Sequence, residues 1–165
     1  MHSGTVDVMA TDGQTDGLTD WLSDEEQRAW RAYLRMQGRL SAALHRQLQQ
    51  DSGLSLPDYD VLVALTDAPE GRLRPFVLQR ELAWEQSRLS HHLNRMERRG
   101  LIAREPCDED GRGAFVVLSE AGRAAITGAA PGHVEAVRRL FFDRLDDTQV
   151  AAVREIATAV LAGLD

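Results

Sequence analysis

From Ser23 onward, apolar residues recur at helical spacing, and polar residues fill the positions between them. "SDEE" at Ser23–Glu26 has the form of a capping box, serine at the N-cap and glutamate three residues on. Trp30, Tyr33, Leu34, Leu40, Leu44 and Leu48 then line one side of a long helix that Gly53 stops. "SLPDYDVLVAL" starts a second helix with Pro57 in its first turn, and "DAPEG" ends it. A short apolar piece, "LRPFVLQREL", reads as a third helix whose start is blurred by Pro75 and Phe76. "SRLSHHLNRMERRG" is a fourth, closed by Gly100. The period then switches. "LIAREPC" and "GAFVVLS" read as two strands of a hairpin around the polar loop "DEDGRG". Ser119 caps a fifth helix, which Pro131–Gly132 is expected to interrupt or kink before "HVEAVRRLFFDRL" resumes. "DDTQ" resembles another capping box, opening a last helix with Val150, Val153, Ile156, Val160 and Leu161 on one side. No internal repeat is visible.

Helix, helix and hairpin in mid-chain is the winged helix-turn-helix order. The predicted fold class is therefore mainly α with a small β-hairpin, a winged domain bracketed by long N- and C-terminal helices. Residues 1–20 lack any apolar period and read as a disordered acidic tail. Residues 21–165 read as a single domain, its winged part at about 54–118 and its bracketing helices at about 23–50 and 119–164. Both bracketing helices carry apolar faces (Trp30, Tyr33, Leu34; Phe141, Phe142, Leu145; Ile156, Val160, Leu161) that so small a domain covers only in part. Pairing with a second copy would bury them, so a homodimer is expected.

Charge changes the picture once it is mapped. The formal net charge is -7, but residues 1–26 hold seven acids and no cation, and beyond them nineteen acids balance nineteen bases. A phosphate-binding surface elsewhere is therefore compatible with an acidic chain. Every basic side chain apart from histidine is arginine, which suits phosphate recognition but fits a GC-rich genome better, because the arginines are scattered. The lone Cys107 has no intrachain partner and fits a reducing cytoplasm. No basic-then-apolar leader opens the chain, and no apolar run reaches the ~18 to 20 residues that cross a bilayer. A cytoplasmic protein is expected.

The stretch from Ser87 to Gly100 concentrates four arginines, two histidines and an asparagine. At about 100° per residue, Leu89, Leu93 and Met96 form an apolar seam. Ser87, His91, Asn94, Arg95 and Arg98 fall opposite it, with Arg88 and Arg99 on the flank. Such a helix suits the major groove, where arginine can donate twice to guanine and asparagine can pair with adenine. By position, Ser87, Arg88 and His91 are the candidates for base edges, followed by Asn94 and Arg95. Arg98, Arg99 and Arg104 are candidates for phosphate. In the hairpin loop, Arg112 lies between two glycines and could enter a minor groove, where the potential is most negative. Asp110 beside it could fix the guanidinium, whereas Asp108 and Glu109 would repel phosphate if they faced it. A solvated polar face on an ordinary helix is the competing account of the same pattern.

Other chemistry finds little support. No Gly-rich phosphate loop, no Gly-x-Ser-x-Gly and no paired carboxylates in a cleft context occur, so an enzyme is not expected. His91 and His92 point about 100° apart and cannot easily share one metal ion, so DNA contact or simple exposure is expected of them. No metal or cofactor is expected. Cys107 fits a structural or incidental role better than a redox switch, since no resolving cysteine exists. The acidic tail fits a solvated segment better than a phosphate mimic competing for the basic helix.

"LSLPDYDVLVAL", "SRLSHHLNRMERRGLIAREPCDEDGRG" and "VLSEAGR" together resemble the MarR family of bacterial transcriptional regulators, from about residue 23 to the C-terminus. The resemblance is most specific from Ser87 to Arg123. The wing motif Asp-x-Arg falls on Asp110 and Arg112, "RGLI" on Arg99–Ile102, and the Gly-Arg opening the next helix on Gly122–Arg123. It implies a homodimer with interlocked terminal helices, two winged lobes on a palindromic double-stranded operator, and control by a small, often aromatic effector bound between the dimer helices and the DNA-binding lobe. It points to a repressor. A winged-helix module that binds protein and has lost DNA is the alternative. Trp30, Tyr33 and Trp84 are aromatic candidates for an effector pocket, though core packing explains them better.

Overall fold

Helix ends sit where short-range side-chain signals put them. In the computed structural model, which describes residues 21–106 and 113–164, helix α1 (Asp24–Ser52) opens on the expected capping box. Ser23 N donates to Glu26 at 2.7 Å, and Glu26 N donates back to Ser23 Oγ at 3.3 Å. Ser55 and Asp58 form a second box at α2 (Leu56–Asp67), and Asp146 and Gln149 a third at α6 (Asp147–Leu161). Ser119 Oγ accepts from Gly122 N at 2.9 Å to start α5 (Glu120–Leu140). Helix α3 (Pro75–Leu82) begins on Pro75 itself, where a missing N–H costs nothing. Helix α4 (Gln86–Arg98) ends in a Schellman turn: Gly100 N donates to Glu97 O, Leu101 N to Met96 O, and Gly100 adopts φ +73°. That turn drops Leu101 into the core.

The hairpin pairs β2 (Ile102–Pro106) with β3 (Ala114–Leu118) antiparallel, in register from Ile102↔Leu118 to Pro106↔Ala114. A two-residue strand, β1 (Arg72–Leu73), completes a three-stranded sheet in the order β1-β3-β2. This strand had no counterpart in the hydrophobic pattern. Glu70, at φ 59°, and Gly71, at φ 67°, turn the chain into it.

Two units are distinguishable, residues 1–35 and residues 36–165. In the first, Trp30 and Tyr33 stack on each other at 5.6 Å and are about half exposed. The second holds the core: Leu48, Leu54, Leu62, Leu65, Leu78 and Met96 are essentially inaccessible to solvent. Burying each such side chain is worth roughly 1.5–3 kcal/mol. On α6, Ile156, Val160 and Leu161 are exposed, as the predicted apolar face requires if a partner is to cover it. Phe141 and Leu145 are half-buried, and Phe142 is exposed.

The interruption expected at Pro131 does not occur. Helix α5 runs unbroken from Glu120 to Leu140 through the Pro131–Gly132 pair. Ala129 and Ala136 on either side are buried and anchor the helix against the core. Pro131 and Thr127, whose carbonyl loses its donor, both face solvent, so water can replace the missing bond. The helix does stop at Leu140, and Phe142–Arg144 continue as a 3-10 turn. Among the described residues, no helix is long and apolar enough to cross a membrane. The tail at 1–20, Cys107, Asp108, Glu109, Asp110 and Arg112 lie outside the described residues.

Candidate nucleic-acid interface

Helix α4 separates its faces as its sequence demands. Leu89, Leu93 and Met96 are buried, while Ser87, Arg88, His91, Asn94, Arg95 and Arg98 are exposed on the other side. The structure therefore brings together the five residues expected opposite the seam and Arg88 from its flank. Arg104, on β2, joins them: its Nη2 donates to Asn94 Oδ1 at 2.6 Å, and its Nε lies 3.4 Å from Glu97. Asn94 thus keeps one lone pair of its carbonyl oxygen and both amide hydrogens for a base, while Arg104 fixes the direction in which the amide points.

His92 corrects the expectation of exposure. It is buried with the seam, at 5% accessibility. Its Nε2 lies 3.1 Å from Asp58 Oδ1, within ionic reach though off the hydrogen-bond axis, and its Nδ1 lies 2.7 Å from Arg95 Nη2. The Trp84 ring meets the imidazole edge-on at 5.3 Å, and the Arg88 guanidinium lies over the same indole at 4.3 Å. Two of the exposed arginines are thus seated on one aromatic pair, a buried His92 and a half-buried Trp84.

Arg99 corrects a second expectation. It was expected to grip phosphate, but its Nη1 donates to Asp58 Oδ2 at 2.7 Å and its Nη2 to Gly53 O at 3.0 Å. Both terminal nitrogens are engaged within the protein, which makes Arg99 a clamp from the end of α4 to the α1–α2 turn. Asp58 is the hub. Burial by itself would raise its pKa, but His92, the Ser55 backbone, Arg99 and the Ser55 hydroxyl all stabilise the anion and together hold it well below the usual carboxylate range. Asp60, on the same helix, is pushed up by burial, with Arg88 and His92 opposing.

Where the hairpin meets α3 and α4, a groove of about 420 Å³ is lined by Arg74, Phe76, Gln86, Ser90, Arg104 and Phe115. Phe115 carries the guanidinia of Arg72 and Arg74 over its ring at 4.9 and 4.7 Å. These two arginines flank the hairpin and were not singled out in the sequence, because nothing local ties residue 72 or 74 to residue 115.

A family model described as "MarR family" matches residues 52–113, the stretch from the end of α1 to the start of β3. The chain is 41% identical to Sco3205, a MarR family transcriptional regulator of Streptomyces coelicolor solved in complex with DNA, over 89% of this chain and 92% of that one, with a TM-score of 0.85. The chain belongs to the MarR family. Members of this family are DNA-binding transcriptional regulators rather than enzymes. This MarR protein is also 37% identical to AbsC, another such regulator of S. coelicolor, over 88% of this chain and 98% of that one, at a TM-score of 0.82. A mutant MarR from E. coli complexed with operator DNA shares the fold at 21% identity and a TM-score of 0.75, covering 84% of this MarR protein and 96% of its own chain. No curated protein matches this sequence. Among the described residues, six α-helices and a three-stranded antiparallel sheet make the chain a winged helix-turn-helix, as its element order predicted.

Proposed function

We propose that this MarR protein is a homodimeric, sequence-specific regulator that binds a palindromic operator as a repressor and is released by a small aromatic effector. One observation carries the DNA reading: Ser87, Arg88, His91, Asn94, Arg95 and Arg98 stand exposed on one face of α4, with Arg104 beside them. On this reading Ser87, Arg88 and His91, at the N-terminal part of the helix, meet base edges, and Asn94 and Arg95 meet bases further along. Arg98 and Arg104 hold phosphate. Arg112, supported by Asp110, enters the minor groove. Arg99 is left out of the contact set and keeps α4 seated. The dimer is supported by the exposed apolar residues Trp30, Tyr33 and Leu34 on α1 and Ile156, Val160 and Leu161 on α6, which a second copy would cover. Two copies of α4 would then read half-sites ~34–36 Å apart. Effector control rests on family membership alone, and its site is assigned to the junction of the dimer helices with the winged lobe.

Selection from a random duplex pool tests this directly. The expected product is an inverted repeat with half-sites one helical turn apart, bound by two protomers. Four phosphate-holding cations per dimer (Arg98 and Arg104 twice) predict that log affinity falls with log salt at a slope of about -4. No enrichment, together with a flat salt response, would instead favour the protein-interaction module.

A further inference from the structure

Arg95 is held from beneath by a chain of contacts that begins on another helix. Asp58, buried at the start of α2, faces His92 Nε2 at 3.1 Å, and His92 Nδ1 faces Arg95 Nη2 at 2.7 Å. A guanidinium only donates, so Nδ1 must be the accepting, unprotonated nitrogen. In the neutral imidazole the proton then sits on Nε2, the nitrogen 3.1 Å from Asp58 Oδ1. We propose that His92 is a positioning residue for DNA reading, passing the fixed Asp58 carboxylate to Arg95 so that its guanidinium is aimed before DNA arrives.

Packing alone accounts poorly for a histidine here. Its neighbours on the seam are Leu89, Leu93 and Met96, and an apolar side chain would fill that place without burying two polar nitrogens. The ring instead lies between the Asp58 carboxylate, 3.1 Å from its Nε2, and the Trp84 indole, 5.3 Å away and edge-on. Asp58 is itself held, because Ser55 N at 2.8 Å and Arg99 Nη1 at 2.7 Å both donate to its Oδ2 and leave Oδ1 facing the imidazole. Arginine otherwise loses much rotamer freedom on binding, so fixing one beforehand favours the complex that uses that one orientation. The gain is therefore in discrimination. A random duplex gripped through phosphate accepts many guanidinium positions and gains little.

The inference rests on Arg95 reading bases, as proposed above, and the test separates the two. Four full-length variants are compared with wild type for the ratio of selected-operator to random-duplex affinity, with thermal midpoints measured alongside: Arg95→Ala, His92→Asn, His92→Gln and the double variant His92→Gln/Arg95→Ala. Asparagine can place its oxygen near the Nδ1 position and so still accept from Arg95, whereas glutamine reaches toward Asp58 and leaves Arg95 without an acceptor. Arg95→Ala is expected to lower the ratio by about tenfold, in the range of one lost bidentate contact. His92→Gln should lower it severalfold with random-duplex affinity unchanged, His92→Asn should retain most of it, and the double variant should be no worse than Arg95→Ala. If Arg95→Ala lowers the ratio but His92→Gln lowers only the thermal midpoint, or if the two losses multiply in the double variant, the positioning role is overturned while the reading by Arg95 stands. If Arg95→Ala leaves the ratio at the wild-type value, the base-reading assignment itself fails and the positioning role goes with it.

Discussion

Replacing Gly122 by alanine should loosen the hairpin from the helix that follows it, and the structure sets the size of the effect. The start of α5 is stapled to the turn after α4: Ser119 Oγ donates to Gly100 O at 2.6 Å and Ser119 N to Leu101 O at 3.3 Å. A Cβ on Gly122 would lie 2.0 Å from that same Leu101 oxygen and 3.0 Å from both the Leu101 carbonyl carbon and Leu118 Cδ1. Leu118 can change rotamer, but the carbonyl belongs to the backbone entering β2 and has nowhere to turn. Ordinary carbon–oxygen contacts begin near ~3.3 Å, so helix and hairpin must part by about 1 Å. Overpacking costs roughly 1–3 kcal/mol even where side chains yield, and the backbone collision sits at the top of that range. Alanine returns up to ~1 kcal/mol of helix propensity, leaving a net loss of about 2 kcal/mol. For a chain of this length that is a fall of roughly 4–8 °C in midpoint at matched protomer concentration. Gly128, on the same helix, supplies the control, because a Cβ there would meet nothing within 4 Å. At that position alanine should stabilise by up to ~1 kcal/mol. Circular-dichroism melts of the two variants settle the matter. Equal midpoints for Gly122→Ala and Gly128→Ala would refute the packing argument.

Three further outcomes are expected. Asp58 is more acidic in the folded chain than its ordinary value of 3.8, so its contribution to stability is complete above about pH 4 and is lost as pH falls below it, where the unfolded chain takes up the proton first. Asp58→Asn should melt lower at neutral pH yet lose less on acidification, and parallel midpoint-against-pH curves for variant and wild type would contradict this. Arg99→Ala should cost about 1–3 kcal/mol in urea unfolding, because it strips one donor from a buried carboxylate, whereas Arg98→Ala should leave stability within ~0.5 kcal/mol and weaken DNA binding instead. Arg112→Ala should weaken operator binding by roughly tenfold or more in a gel-shift titration, and wild-type affinity would count against a minor-groove role.

The helix starts were legible because a capping box spans only four residues: Ser23 with Glu26 and Asp146 with Gln149 meet whatever the rest of the chain does. The hairpin was legible from its change of period. The strand Arg72–Leu73 was not, since two residues carry no alternation and its pairing partner lies in β3, more than forty positions away. Pro131 misled because a local rule met a helix already held by packing on both sides. His92 is more instructive. On the helical wheel it falls within 60° of both Leu89 and Met96, so its position already placed it inside, and only its polar character argued for exposure. What admits a histidine there is a carboxylate on another helix, and no pattern within α4 announces it. Arg99 misled for the same reason, because its partners, Gly53 and Asp58, are forty or more residues distant.

The exposed arginines of α4 are not equivalent, and the difference bears on how affinity and selectivity divide. Arg88 lies on the Trp84 indole, and Arg95 is tied to His92. Arg98, by contrast, has no ionic partner among the described residues. A base edge offers donors and acceptors in one fixed arrangement, so a side chain that reads it gains from being held in advance. A phosphate is a diffuse target with several oxygens, and a mobile cation reaches it as well as a rigid one. On the proposed reading, the supported arginines are those assigned to bases and the unsupported one is assigned to phosphate, a correspondence that the residue types, all arginine, do not require. Arg104 tests the limit of this rule. It is assigned to phosphate, yet it holds Asn94 and lies beside Glu97, so DNA must compete with that pair for its guanidinium. If the support beneath a side chain does set its role, releasing Arg104 by Glu97→Gln should raise affinity for operator and random duplex alike, and a gain confined to the operator would show that Arg104 works through Asn94 instead.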